Sequence, residues 1–286
     1  MPYLMLLFST GLMIAIWPVN RAVMKKGGRA PNIGLVIGLA GALAAAAAAK
    51  MNGETFFHPR AMFYGALAGV AFSLGYCMII FHCLKIGPSG PTVMMNNLGM
   101  VAPVLLNILF FPGGAKPSAF AGAGLLLSLA ALILMAFNSG ADGGKPSMKW
   151  FGWVLLGFFL SCVSMGAQYL AAKSVPNLPY SYAFYCQTVT FLILLGVCAA
   201  RKSVLPTKIE ALAGVFSGTV GVLNAGVLFY LIKNMPGYIV FPVVMVTPIV
   251  VMLILGHAVY REKLNRYGVS ACAAGLLGIV LLNVVP

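Results

Sequence analysis

Thr92, Asn96, Gly99, Pro103 and Asn107 stand 4, 3, 4 and 4 residues apart in and around the stretch MMNNLGMVAPVL. On a helix, positions three and four apart share a face, so these residues form one polar-and-small stripe. It offers a hydroxyl and two amides. It also offers the carbonyl of Gly99, because Pro103 cannot donate to the residue four back. These are groups for hydrogen-bonding a solute, not for moving protons. In an apolar run such a face must meet protein, water or ligand, so Asn96 is expected on a cavity. Interhelical hydrogen bonding is the competing role. Asn97, about 100° round the helix, is read as a packing contact.

Other runs carry similar faces. Gln168 shares a face with Ser161 and Ser164, and Tyr185 with Ser181 and Thr188, while Gln187 lies on another side. Trp17 stands near Asn20 and Arg21, and Asn224 interrupts a Gly-rich run. Met245 and Pro248 share a side with Phe241, Met252 and Gly256, which would make a soft wall without donors. The solute-contacting candidates are therefore Trp17, Thr92, Asn96, Gly99, Pro103, Gln168, Tyr185, Asn224, Met245 and Pro248. Two stripes, Ala68, Ala71, Gly75 and Gly214, Gly218, Gly221, are read as close helix packing.

Acid–base or metal chemistry finds little to work with. The acids are Glu54, Asp142, Glu210 and Glu262, all in or beside loops, and His58, His82 and His257 are scattered. Catalysis in a membrane needs paired acids, a His/acid pair or a metal cluster. No such spacing occurs, nor any GxSxG or Walker loop, and the six cysteines lie in apolar runs without CxxC. No enzyme activity, metal or cofactor is expected.

These residues need elements that hold them in a bilayer. The chain has 286 residues, 61% hydrophobic and 8% charged, against about 25% charged in soluble domains. Ten apolar runs occur near 3–24, 31–50, 61–83, 89–111, 119–138, 149–172, 179–200, 208–232, 237–257 and 265–284. Each approaches the roughly 20 residues of a spanning helix. The fold class expected is an all-α integral membrane protein of ten transmembrane helices. The formal charge of +14 comes from Lys and Arg between the runs. That points to orientation and lipid headgroups, and no nucleic-acid partner is expected. Arg21, Lys85 and Lys233 end spans and are read as snorkelling to headgroups, with attraction of an anion as the competing role. The first run has no basic leader and no clear cleavage site, so it is read as a retained helix.

Landmarks recur in order. FHCLK ends the third run and FYLIK the eighth, each followed by a Gly/Pro turn and a helix with an internal proline, Pro103 or Pro248. Asn138 and Asn283 each stand 35 residues beyond. Two five-span copies must face opposite ways in the membrane. That is the inverted-repeat plan of many secondary transporters, with the site near the midplane. The division expected is 1–140 and 141–286.

The chain resembles the drug/metabolite transporter superfamily in its EamA-like branch. GPTVMMNNLGMVAPVL and GYIVFPVVMVTPIVV resemble its helices of small residue, apolar run and proline. LILGHAVYREKLNRYGVSACAAGLLGIVLLN resembles its closing turn and Gly-containing helix. The resemblance implies two EamA-like five-helix repeats. The related small multidrug exporters carry a glutamate in the first span, whereas YLMLLFSTGLMIAIWPVNRAVM has no acid.

The function expected is a secondary transporter moving a small neutral, zwitterionic or amphiphilic metabolite by alternating access, through a central cavity between the repeats. A channel or scramblase, or a non-transporting assembly subunit, are the other classes. The partners are the solute and the lipid bilayer, and the oligomeric state is open, a monomer being one option. The location expected is the plasma membrane, as a bacterial inner membrane. Loops after the odd-numbered runs carry thirteen Lys and Arg and the others five. The positive-inside rule then places both termini outside, whereas the family resemblance implies cytoplasmic termini.

Overall fold

The computed structural model describes residues 2–281 except 88, 111–118, 137–147, 204, 236, 260 and 262–264. It is all-helical, with no strand among the described residues. The helices are α1 Pro2–Lys25, α2 Ala30–Met51, α3 Pro59–Ile86, α4 over 89–110, α5 Ala119–Ala136, α6 Met148–Ser174, α7 Pro179–Ala200, α8 Lys208–Asn234, α9 Gly237–Ala258 and α10 Arg266–Leu281. They fall on the apolar runs, because hydropathy sets their length and Gly/Pro turns end them. Proline opens α2, α3 and α7, where the missing N–H costs no hydrogen bond. Gly27 and Gly53, at φ +88° and +65°, make the left-handed turns after α1 and α2.

Among the described residues, α1, α2, α3, α6, α7 and α8 are each long and apolar enough to cross a membrane. Their outer faces carry exposed Leu39, Leu43, Phe63, Phe159, Leu192 and Leu212, a surface suited to lipid tails. The protein is a multi-pass membrane protein.

Among the described residues, two helices depart from regular winding, and both flank the site. In α4, a 3-10 turn at Leu98–Met100 separates Ser89–Asn97 from Val101–Phe110. The ring of Pro103 crowds the carbonyl of Gly99, four residues back, and the tighter turn falls there. In α3, Ser73–Ile80 is π-wound. Residues five apart come onto one face in such a stretch. Tyr76 therefore meets Phe81, five residues on, at 5.0 Å, and Phe72, four residues back, stacks on Tyr76 at 4.9 Å.

Packing between helices has an internal correspondence. α2 packs on α7 and α5 on α10; α3 meets α6 and α7 as α8 meets α1 and α2; α1 meets α9 as α6 meets α4. Advancing each helix by five carries these pairings into one another. The ends of α2 and α7 also exchange roles. The loop after α2 supplies Glu54, which accepts from the N–H groups of Tyr180 at 3.3 Å and Ser181 at 2.7 Å, and from Ser181 Oγ at 2.9 Å. The loop after α7 supplies the carbonyls of Ser203 and Leu205, which accept from Asn32 Nδ2 at 2.6 and 3.3 Å. Each loop pins the start of the other helix, so α2 and α7 run antiparallel.

Glu54 places a carboxylate at the positive end of α7. Glu54→Gln should lower stability by about 1–2 kcal/mol, read as a lower melting temperature in detergent. An unchanged melting temperature would mean that this contact does not hold the loop.

Candidate functional site

A cavity of about 170 Å³ lies within the bundle, lined from α1, α2, α3, α4, α6, α7 and α8. Four sequence candidates meet on its wall: Trp17, Asn96, Gln168 and Asn224. Asn97 joins them, against the packing role expected of it, because the 3-10 turn begins just beyond and both amides reach the wall.

The amides are held in place by neighbouring helices. Asn96 Oδ1 accepts from Ser161 Oγ of α6 at 2.6 Å, and its Nδ2 donates to Asn97 Oδ1 at 3.2 Å. Asn224 Oδ1 accepts from Ser9 Oγ of α1 at 2.6 Å. Asn20 Nδ2 donates to Tyr76 OH at 3.2 Å, while its Oδ1 accepts from Ser217 Oγ at 3.0 Å. Tyr76 and Ser217 are themselves on the lining. Asn96 thus serves both of its expected roles, as wall and as interhelical bond. Asn96→Ala should cost about 1–2 kcal/mol in detergent stability and abolish solute binding. A variant that unfolds outright would leave Asn96 as structural alone, and one that transports normally would remove it from the site.

Other groups on the wall lack such partners. The indole N–H of Trp17 and Oε1 of Gln187 are buried with no hydrogen-bond partner among the described residues. Among the described residues, no hydrogen bond engages Gln168 or Ser164, which stay half-buried. Gln187 presses on α2 at Gly41, where a Cβ would come within 2.8 Å of its side chain. Sequence alone put Gln187 on a different face from Tyr185, which is correct, but gave no means of choosing the inward one. Aromatic rings complete the wall: Trp17 meets Tyr76 edge-on at 5.3 Å, and Phe72 and Tyr182 join them.

The remaining candidates lie elsewhere. Thr92 and Pro103 are buried off the lining. Gly99 faces α6, where a Cβ would sit 2.8 Å from Ser161 Cβ; the stripe's middle is a helix contact. Tyr185 donates its hydroxyl to the Phe56 carbonyl at 2.9 Å, toward the loop after α2. Pro248 is buried in α9, off the lining. The side chains of Met245, Phe241 and Asn107 lie outside the described residues, as do Asp142 and Glu262. Of the packing stripes, Gly214 and Gly218 press on α2 and Gly75 on Leu160, but Gly221 and Ala71 line the cavity.

Snorkelling does not describe Arg21. Its side chain is fully buried in α1, whereas Lys85 is exposed and Lys233 is exposed with Nζ 3.0 Å from Asn177 Oδ1. Position near a span end does not fix which way a long side chain points when other helices close over it. Among the described residues, no three His, Cys, Asp or Glu side chains gather as metal ligands.

Residues 152–284 match the EamA-like transporter family. The match covers a little under half of the chain, its second half. Among solved structures, the crystal structure of a protein 18% identical matches 96% of this chain and 98% of its own, with TM-score 0.62. That likeness concerns the fold over the whole length. No curated protein sequence matches the chain.

Proposed function

We propose that this EamA-like protein is a secondary transporter that carries a small neutral, zwitterionic or amphiphilic metabolite by alternating access. The observation that carries the reading is the central cavity, whose wall combines fixed amides, unpartnered polar groups and aromatic rings. The residues proposed to contact solute are Trp17, Asn96, Gln168 and Asn224. The two halves, 1–140 and 141–286, are proposed to be inverted five-helix repeats. The exchange of contacts between α1–α5 and α6–α10 supports this, as do antiparallel α2 and α7. The pinned loops at opposite ends of α2 and α7 are then the closures that open in turn.

Ser164→Cys, in a background with the native cysteines replaced, tests the cycle in oriented vesicles with a membrane-impermeant maleimide. Labelling from both sides is expected. A prior cross-link between Asn32→Cys and Ser203→Cys should stop labelling from that end alone. Labelling from one side in every condition would end the alternating-access reading. Persistence from both sides after cross-linking would mark a channel.

The protein is proposed to sit in a bacterial inner membrane with both termini outside. The loops at the Arg29 end are the basic ones, and the positive-inside rule places them in the cytoplasm. Alkaline phosphatase fused after Pro286 should be active; green fluorescence from a fusion there would reverse the orientation.

A further inference from the structure

We infer that the solute is a neutral, planar heterocycle of one or two rings with a lactam edge, gripped by the Gln168 amide against the aromatic wall. The inference rests on the transporter reading above and narrows its solute class.

Charge gives the first restriction. Among the described residues, no Lys, Arg, His, Asp or Glu is on the lining. An ammonium or carboxylate entering it would leave water and find no opposite charge, which is strongly unfavourable. Zwitterionic amino acids are disfavoured on both ends, and a neutral solute is not.

The available hydrogen-bonding groups give the second. The amide oxygens of Asn96 and Asn224 are already occupied by Ser161 and Ser9. The groups left over include the Gln168 amide, the Ser164 hydroxyl, the Trp17 N–H and Gln187 Oε1. A polyol carries hydroxyls all round its ring, and those turned to the aromatic wall would be buried unpaired. A primary amide presents a carbonyl beside an N–H, and a lactam presents the same pair reversed. The two join by parallel hydrogen bonds, the pairing by which Gln reads a base edge. The Trp17 N–H is left to donate to a second ring carbonyl or nitrogen.

Shape gives the third. Trp17, Phe72, Tyr76 and Tyr182 line the cavity, and aromatic surfaces hold flat rings by stacking or edge contact. The volume is about 170 Å³, and an apolar cavity of about 150 Å³ accommodates benzene. One ring or a fused pair fits; a ring bearing a sugar does not.

The test is a thermal-shift and calorimetric titration of the purified full-length protein with uracil and hypoxanthine. The controls are 1,3-dimethyluracil, whose edge is blocked, and uridine, which is too large. At least one free lactam should bind, with the blocked ring about tenfold weaker or worse, the worth of two modest hydrogen bonds. Gln168→Leu should weaken the free lactam by a similar factor. If that variant does not fold, the wild-type series decides. Equal binding of 1,3-dimethyluracil overturns the lactam edge. Binding of amino acids or sugars, or of no solute in the series, overturns the heterocycle, and the transporter reading then stands or falls on the Ser164→Cys labelling alone.

Discussion

Gly38→Leu should abolish recovery of folded, monodisperse protein, while Gly196→Leu on the neighbouring helix should leave it intact. A Cβ at Gly38 would lie 2.6 Å from the backbone nitrogen of Phe191 and 2.8 Å from its Cα. Backbone cannot swing aside as a side-chain tip can, so α2 and α7 must separate. Lipid tails are as apolar as leucine, so helices in a bilayer associate by close packing and hydrogen bonds. Separation forfeits that packing along Gly34, Gly38 and Gly41, and the expected loss is at least about 3 kcal/mol. Gly196 has nothing within 4 Å of a built Cβ and is exposed, so its leucine meets lipid. Size-exclusion profiles of the two variants in one detergent make the comparison. Equal recovery would mean that α2 and α7 tolerate a gap, and their close seam would not be what joins the halves.

Glu210→Ala should be the most damaging change among the described acids. Glu210 is buried and accepts from the Arg29 backbone N–H at 2.8 Å, from Nε at 3.1 Å and from Nη2 at 2.9 Å. It also closes the capping box of α8, taking the Thr207 N–H at 2.7 Å while its own N–H donates to Thr207 Oγ1 at 3.3 Å. Arg29 gains from the same contact: its hydrogen bond to Glu210 raises the guanidinium above its ordinary value. Removing the carboxylate uncaps a helix and strips a charge of its partner, at a cost of about 2–4 kcal/mol. Half of Arg29 faces solvent, 41% against 2% for Glu210, so water softens the loss on that side. Thermal denaturation of Glu210→Ala, Arg29→Ala and the double variant would separate the parts. The double variant should cost less than the two singles added. Strict additivity would show that the pair is not coupled.

Much of the scaffold was legible because hydropathy and helix breakers act locally. The run at 179–200 and α7 Pro179–Ala200 coincide, since a proline opens the helix and Arg201 with Lys202 closes it. The facing of each helix was less legible, because it depends on partners distant in sequence. Asn96 was placed on a wall by its stripe, yet Gly99 and Pro103 of that stripe turn to α6 or into the core. The 3-10 turn breaks the spacing that united them. Gln187 and Asn97 carry no local signal that separates wall from contact; only the neighbours α2 and α6 decide. Arg21 gave the wrong impression for the same reason, since its burial comes from helices that its own run does not reveal.

The π-wound stretch of α3 bears on how this helix can vary over generations. A π turn holds one residue more than an α turn, so Ser73–Ile80 carries the equivalent of a one-codon insertion. Losing any single residue there would restore even winding and rotate one half of α3 against the other by about 100°. Phe81 would leave Tyr76, and the lower column would turn away from Trp17. Substitutions within 73–80 change one side chain at a time, but a change of length reassigns every face beyond it. Lineages of this protein are therefore expected to drift in residue identity across the stretch while keeping its residue number fixed.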